Sequence, residues 1–325
     1  MQLPRRRFLC LAAAAATLPA LSRNARAQPY PVRPVRWIVP FPPGGVGDIV
    51  SRLMGEFLSE RLDRPFIIEN RPGAATNLAT EIVVHAPPDG YSLLFVGQPA
   101  AINATLYDKL NFNFIRDIAP VAGMMRVPNA MLVNPSVPAR TVPEFIAHAK
   151  AHRGEINFSS GGIGTTSHMA GELFKMMTGI NIVHVPYRGD APALTGLLGG
   201  QVQVYFGNIA SSIEHVRAGK LRALAVTTSA RAQSLPDLPT MADFISGYEV
   251  STWTGVAVPK NTPAHIIDKL NEGINAGLAD VRVKRQFAEL GGTVLAGSPD
   301  DFGKLIALET EKWARVVKFS GAKSY

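Results

Sequence analysis

Cysteine is almost absent from this sequence of 325 residues, and the one example, Cys10, lies near its start. Three arginines at positions 5–7 precede an apolar run from Phe8 to Leu21, and Ala25–Ala27 offers a small-residue cleavage site. This order is typical of a cleaved export signal. Removal of the signal would also remove Cys10, so the processed chain would hold no disulfide, no thiolate nucleophile and no cysteine-bound metal.

A strong excess of charge is also lacking once the signal is set aside. Five of the 33 basic residues and none of the 25 acidic residues lie in positions 1–27, so the rest of the chain has 28 basic residues against 25 acidic ones. A net charge of +3 gives little support for nucleic-acid binding. We expect an exported protein whose signal is cleaved near Ala27, and the Sec and twin-arginine routes both stay open.

Long apolar runs and catalytic motifs are missing as well. The run from Phe8 to Leu21 is shorter than the roughly 20 residues that a membrane-spanning helix needs. Residues 162–167 superficially resemble a dinucleotide-binding fingerprint, but the sixth position is a serine and no strand ending in a clear acidic residue about 20 positions later supports it. His148 and His152 have the spacing of two metal ligands without a third, so we interpret them as a solvated helix face. The sequence therefore predicts no catalytic residue, no cofactor and no metal site.

Short apolar runs alternate with helix-like stretches almost to the end of the chain. The runs predict strands because they are brief and uninterrupted, and helix starts are marked by Thr141, Thr262-Pro263 and Ser298-Pro299. The predicted strands are Val35–Val39, Phe66–Glu69, Ser92–Val96, Ala130–Val133, Asn157–Ser159, Val183–Val185, Val202–Phe206, Arg222–Val226 and Thr254–Val258. The alternation predicts an α/β fold with mostly parallel sheets flanked by helices, and ligands are expected at the carboxyl ends of the strands.

Two lobes are expected from the length and from two extended segments bounded by prolines. The segments 128–138 and 251–259 are the predicted crossing points between the lobes. Lobe 1 would then hold residues 28–128 and 252–325, lobe 2 would hold residues 129–251, and the ligand cleft would lie between them. The first 27 residues would be the export signal.

Two glycine-rich turns, each between a predicted strand and a predicted helix, follow the same pattern. One lies within Arg36–Asp48 and the other within Glu155–Ser167. A bare turn at the start of a helix directs backbone N–H groups and the positive end of the helix dipole at whatever sits there, which suits an anion. One such turn is weak support for a site, whereas two of them in separate segments predict a small anionic molecule held from both sides.

Seven motifs in fixed order give the chain a resemblance to a known family. They are Pro40–Asp48, Glu69–Ala74, Ala86–Tyr91, His168–Lys175, Val185–Ala193, Gly199–Val202 and Lys220–Thr227. This series spans nearly the whole chain after the signal. It resembles the Bug family, the periplasmic substrate-binding components associated with tripartite tricarboxylate transporters.

The resemblance implies a two-lobed periplasmic-binding-protein (Venus flytrap) fold without enzymatic activity. Family ligands are di- and tricarboxylic acids, acidic amino acids, and aromatic or pyridine carboxylates. The turns matching Phe41–Asp48 and Gly162–His168 would hold ligand carboxylates, largely through backbone amides and ordered waters. The expected ligand contacts are Phe41, Gly44, Gly45, Asp48, Gln98, Gly162, Gly164, Thr165, Thr166, Ser167, His168, Tyr187 and Asn208. The expected partners are a small carboxylate and the membrane subunits of a tripartite tricarboxylate-type transporter, and we expect a monomer.

Several interpretations stay open at this stage. Asp48 serves either as a helix cap or as a ligand contact, and the same choice between structure and contact holds for His168 and Arg188. The family commonly carries aspartate where this chain has Gly196, Gln203 and Gly207, which favours a ligand whose polar groups are mainly carboxylates over an amino acid. A ligand-binding partner of a sensor kinase and, less favoured, an exported α/β enzyme are the alternative functions.

Overall fold

The computed structural model describes residues 30–324, and the predicted export signal with its cleavage site lies outside the described residues. Contacts group the described residues from Arg33 onward into one compact unit. Among the described residues, no helix combines the length and the apolar character needed to cross a membrane.

Ten strands form a connected β-structure in the described residues. Their path runs β2-β1-β3-β9-β4-β7-β5-β6, and β8 and β10 pair with β4 beside that path. The strands are β1 (Val35–Val39), β2 (Phe66–Asn70), β3 (Ser92–Gly97), β4 (Ile118–Val133), β5 (Asn157–Ser160), β6 (Val183–Pro186), β7 (Val204–Asn208), β8 (Arg222–Val226), β9 (Ser251–Pro259) and β10 (Thr293–Val294).

Strand β4 is long enough to pair with two different sets of strands. Its first part, Ile118–Pro128, lies antiparallel to β9, and its last five residues, Asn129–Val133, lie antiparallel to β7. The outer pairs β1–β2, β1–β3, β5–β6 and β5–β7 are parallel, as the sequence predicts. The strand pairing thus changes between Pro128 and Asn129.

Eleven α-helices connect the described strands and cover them. They are α1 (Val46–Leu62), α2 (Asn77–Val84), α3 (Gln98–Leu106), α4 (Phe114–Asp117), α5 (Val142–Ala151), α6 (Thr166–Thr178), α7 (Asp190–Leu198), α8 (Ile209–Arg217), α9 (Ala264–Ala279), α10 (Val281–Glu289) and α11 (Pro299–Ser320). The predicted starts at Thr141 and Ser298 are confirmed, since both side chains accept a hydrogen bond from the first turn. The α/β class predicted from the sequence is confirmed.

The core of the described residues contains separate apolar clusters and includes three fully buried tryptophans, Trp37, Trp253 and Trp313. Trp253 and Trp313 both donate to one oxygen of the buried Glu309, at 3.2 and 2.8 Å, and Lys312 pairs with the other oxygen. The buried carboxylate is therefore paired and hydrogen-bonded, as a buried charge must be to avoid a large desolvation cost.

The sequence pattern did not reveal the first part of β4 or the short β10. Pro120 and Pro128 interrupt the apolar run, and proline argues against a central strand because it cannot donate to the ladder. The structure accommodates Pro120 beside an irregularity, since the register against β9 shifts between Pro120 and Ala122. A bulge leaves a residue unpaired and so tolerates the missing N–H.

Candidate ligand-binding site

A cavity of about 730 Å³ lies at the carboxyl ends of the parallel strands. Both sets of strands contribute to its wall, and the first turns of α1 and α6 open onto it. The lining residues are Phe41, Pro42, Pro43, Gly44, Gly45, Val46, Gly47, Phe95, Pro99, Met125, Val127, Asn129, Thr165, Thr166, Ser167, Asp190, Tyr205, Phe206, Gly207, Asn208, Thr252 and Thr254. A concave site of this volume, with aromatic walls and a few polar groups, suits a small molecule.

The turn before α1 is fixed from behind by Asp48. Its carboxylate accepts hydrogen bonds from the Gly44 N–H at 2.9 Å and from Asn70 Nδ2 at 2.9 Å, and Arg52 pairs with both of its oxygens. Hydrogen bonding from Arg52 lowers the pKa of Asp48 to about 2. Asn70 also donates to the Phe41 carbonyl at 2.9 Å. Asp48 is 3% exposed and does not line the cavity, so it holds the shape of the turn.

Three backbone donors of the α1 start are left for a ligand. The N–H groups of Val46, Gly47 and Asp48 make no hydrogen bond among the described residues, and the first intrahelical bond is made by Ile49 N–H to the Gly45 carbonyl at 2.9 Å. Unpaired donors of this kind occur at every helix start, and two of these three belong to residues that line the cavity, Val46 and Gly47. Phe41 supports the turn from the side through an edge-to-face contact with Phe95, with ring centroids 5.8 Å apart.

The turn before α6 repeats this arrangement. Thr165 caps the helix by accepting from the His168 N–H at 3.3 Å, and Ser167 Oγ accepts from the Gly161 N–H at 3.0 Å. The N–H groups of Thr166 and Ser167 make no hydrogen bond among the described residues. Both helix starts thus present unpaired backbone donors to the same cavity, which is the pattern of an anion site.

Gln98 lies behind the cavity wall and supports Thr166. Its side chain is fully buried, and its amide nitrogen lies 2.8 Å from Thr166 Oγ1 and 3.2 Å from the Ser251 carbonyl when the amide is oriented to satisfy its neighbours. In that orientation the amide oxygen accepts from Trp313 Nε1 at 3.1 Å. Gln98 therefore links the α6 start to the tryptophan–Glu309 network of the core.

His168 also lies behind the α6 turn, in a smaller pocket that it shares with His184, Glu172 and Lys175. Its Nδ1 accepts from the Gly164 N–H at 3.1 Å, and its ring stacks on that of His184 with centroids 3.8 Å apart. Burial lowers the pKa of His168 to about 3 and that of His184 to about 4. A neutral imidazole is what the Gly164 N–H requires as its acceptor.

Asp190 and Tyr205 are cavity residues that the sequence analysis missed. Tyr205 Oη donates to Asp190 Oδ1 at 2.8 Å, and Ser167 Oγ donates to the same oxygen at 3.1 Å. Burial and the neighbouring Asp190 raise the pKa of the Tyr205 hydroxyl, which keeps it a proton donor. A signal was present: Asp190 follows a third strand-to-helix turn, after β6, where the first helical residue faces the same edge of the sheet.

The structure brings about half of the predicted contact residues together at the cavity. Those that line it are Phe41, Gly44, Gly45, Thr165, Thr166, Ser167 and Asn208. The other predicted contacts, which do not line it, are Asp48, Gln98, Gly162, Gly164, His168 and Tyr187. Gly162 and Gly164 form the backbone of the α6 turn with φ of 128° and 78°, which favours glycine, and a Cβ at Gly164 would lie 2.4 Å from the Leu106 side chain.

The attraction of the cavity for an anion comes from its backbone. Among the described residues that line it, none is lysine, arginine or histidine, and Asp190 is the one carboxylate. Any attraction for an anion therefore rests on the N–H groups and dipoles of α1 and α6.

Comparisons with known proteins show which proteins this chain is similar to. A family model described as the tripartite tricarboxylate transporter family receptor matches residues 50–321. Protein BugT of Bordetella pertussis is 37% identical over 302 residues, which cover 91% of this chain and 92% of that protein. R. palustris Rpa4515, solved with adipate, is 35% identical with a TM-score of 0.76 and a match covering 90% of this chain and 99% of its own.

Two further solved structures agree with that result. MatC from Rhodopseudomonas palustris, solved with bound malate, is 31% identical with a TM-score of 0.73, and the match covers 89% of this chain and 100% of MatC. The periplasmic binding protein BugD is 32% identical with a TM-score of 0.73, covering 91% of this chain and 100% of that structure. The solved relatives thus include one periplasmic binding protein, BugD, and two proteins that hold adipate or malate.

Proposed function

We propose that this chain, which belongs to the tripartite tricarboxylate transporter receptor family, captures a small carboxylate in the cavity between the starts of α1 and α6. The family consists of substrate-binding receptors, so the role is binding and not catalysis. The protein would capture the acid in the periplasm, where the binding proteins of this family act. It would then pass the acid to the membrane subunits of a transporter.

One observation carries the proposal: in the part of the chain that the structure describes, two helix starts with unpaired backbone N–H groups border one cavity that no cationic side chain lines. Val46 and Gly47 line it from α1, and Thr166 and Ser167 line it from α6. Two separated donor sets favour a ligand with an acidic group at one end and a second polar group at the other. Phe95, Met125 and Phe206 supply apolar wall between them, which suits a carbon chain.

The ligands of the solved relatives fit this division. Adipate, in Rpa4515, and malate, in MatC, each carry two carboxylates separated by carbon atoms. If the two helix starts are about as far apart as the two carboxylates of such an acid, each turn can hold one end of the ligand.

Lobe closure would couple capture to transport. We infer that residues 28–128 with 252–325 move against residues 129–251 and close on the ligand, since each group supplies one of the two helix starts. A ligand that contacts both groups stabilises the closed state by its differential affinity, and a transporter can recognise that state.

A thermal-shift screen followed by calorimetry tests the proposal. Purified protein is mixed with adipate, malate and other mono-, di- and tricarboxylates, with a nucleotide and a neutral sugar as controls. A carboxylate at 100 times its Kd is expected to add about 2.7 kcal/mol to the free energy of unfolding. Stabilisation by the nucleotide or the sugar, with none by any carboxylate, would contradict the proposed function.

A further inference from the structure

The carboxylate of Asp190 is an unusual group to line a site that binds acids, because both carry negative charge. It lies at the first residue of α7 and lines the cavity, and both of its protein donors, Tyr205 and Ser167, bond to Oδ1. Oδ2 has no hydrogen-bond partner among the described residues, and no lysine or arginine there pairs with Asp190. Asp190 therefore carries a carboxylate oxygen without a protein donor among the described residues, at the border of the space proposed for the ligand.

Its surroundings show that this carboxylate is held in place. Tyr205 is 1% exposed, so its hydroxyl has a fixed position, and Ser167 belongs to the α6 turn. Two donors on one oxygen fix the orientation of the carboxylate and leave the other oxygen as a directed acceptor. The contrast with Asp48 is clear, because Arg52 and Asn70 occupy the oxygens of that carboxylate.

Gly207 allows the tyrosine to occupy this place. A Cβ at Gly207 would lie 1.8 Å from Tyr205 Cε1, so no side chain at position 207 is compatible with this ring position. From the sequence, the missing aspartate at Gly207 removes an acceptor for a ligand ammonium group and favours ligands other than amino acids. The structure supplies a carboxylate from Asp190 instead.

We propose that Asp190, oriented by Tyr205 and Ser167, binds an ammonium group, so that the preferred ligand is an amino carboxylate. This inference rests on the proposed function. The backbone donors of α1 and α6 hold the acidic groups, and Oδ2 of Asp190 accepts from the ammonium group. A plain dicarboxylate lacks that cation and brings only negative charge into the field of Asp190, which disfavours its binding.

Calorimetric titration with matched acids tests the inference. The pairs are 2-aminoadipate against adipate and aspartate against succinate, each differing by one ammonium group. The protein is expected to bind the amino member of at least one pair tenfold or more tightly. Asp190→Asn should abolish or reverse that preference, whereas Asp268→Asn, which removes an exposed carboxylate on α9, should leave it unchanged. Tyr205→Phe, which removes one of the two donors to Oδ1, should reduce it partly.

The possible outcomes separate the inference from the function. Equal or tighter binding of adipate and succinate, with a ratio that Asp190→Asn does not change, overturns the ammonium subsite and leaves carboxylate binding intact. Malate binding as tightly as aspartate overturns the requirement for a cation, because a hydroxyl donor would then suffice. Failure of every carboxylate to bind overturns the proposed function itself. Circular dichroism of each variant confirms that it is folded.

Discussion

At the scale of single residues, the site separates groups that hold its shape from groups that face the ligand. Asp48, Gln98 and His168 are buried, and each bonds to one of the two turns from behind. The cavity side of those turns is left to backbone N–H groups. Side-chain substitution behind the wall is therefore expected to affect stability first, and affinity only through the shape of the turn.

Asp48→Asn tests this division. The substitution removes the charge that pairs with Arg52 and leaves one acceptor oxygen, so the free energy of unfolding should fall by about 1–3 kcal/mol. The change is measured by chemical denaturation. Asp300→Asn, in the exposed first turn of α11, is the matched control because it shares the helix-dipole term but lacks a comparable network. Equal losses in both variants would contradict a structural role for the Asp48 network.

At the scale of elements, the starts of α1 and α6 are the functional units. Gly45 and Thr165 precede them in extended conformation, with ψ of 167° and 162°. This conformation is compatible with a proline at the next residue. A single unpaired N–H can therefore be removed without distorting the helix.

Val46→Pro is expected to weaken carboxylate binding by roughly 10- to 100-fold, the equivalent of one hydrogen bond to a charged group. Proline is tolerated at the first helical position, so the fold should persist. Val281→Pro is the matched control, since Val281 begins α10 after Asp280 with ψ of 136° and does not line the cavity. Affinity is measured by calorimetry with the best-binding acid. Unchanged affinity in Val46→Pro would rule out the Val46 N–H as a ligand donor.

The stacked histidines behind α6 predict a pH dependence of stability. In the folded protein the pKa values of His168 and His184 are lowered to about 3 and about 4, whereas the ordinary value is 6.5. Below pH 6.5 the unfolded state therefore binds more protons than the folded state, so the free energy of unfolding falls as pH falls towards 4. Each imidazole contributes about 1.4 kcal/mol per pH unit inside this window.

Denaturation curves between pH 4.5 and 7 check that slope. His184→Gln should make it shallower, and His265→Gln, at an exposed position on α9, should leave it unchanged. Glu172, whose pKa is raised by burial, contributes a slope of the opposite sign, so the comparison between variants isolates the imidazole. Identical slopes in the protein and in His184→Gln would contradict a buried neutral His184.

At the scale of the whole molecule, the sequence predicted the class and the elements better than the cavity wall. Each predicted strand overlaps an observed one, because short apolar runs between turn residues leave few alternatives, as at Arg222–Val226. Met125 and Val127 were missed because they lie in the first part of β4, where Pro120 and Pro128 argue against a strand. Asp190 was missed because spacing along the chain does not show which carboxylate at a helix start faces inward.

Ligand-dependent closure is a prediction at this scale. Small-angle X-ray scattering should show a smaller radius of gyration when the bound acid is added than without it, because the closed state is compact. Val46→Pro at the same acid concentration should show a smaller shift, since less protein is occupied. No change at saturating acid would contradict closure.

The long strand β4 has a consequence for cooperativity. Since its first eleven residues pair with β9 and its last five with β7, each set of strands loses one ladder if β4 detaches. Local opening of one set must therefore destabilise the other. Calorimetry should record a single unfolding transition with equal van't Hoff and calorimetric enthalpies, as for one domain.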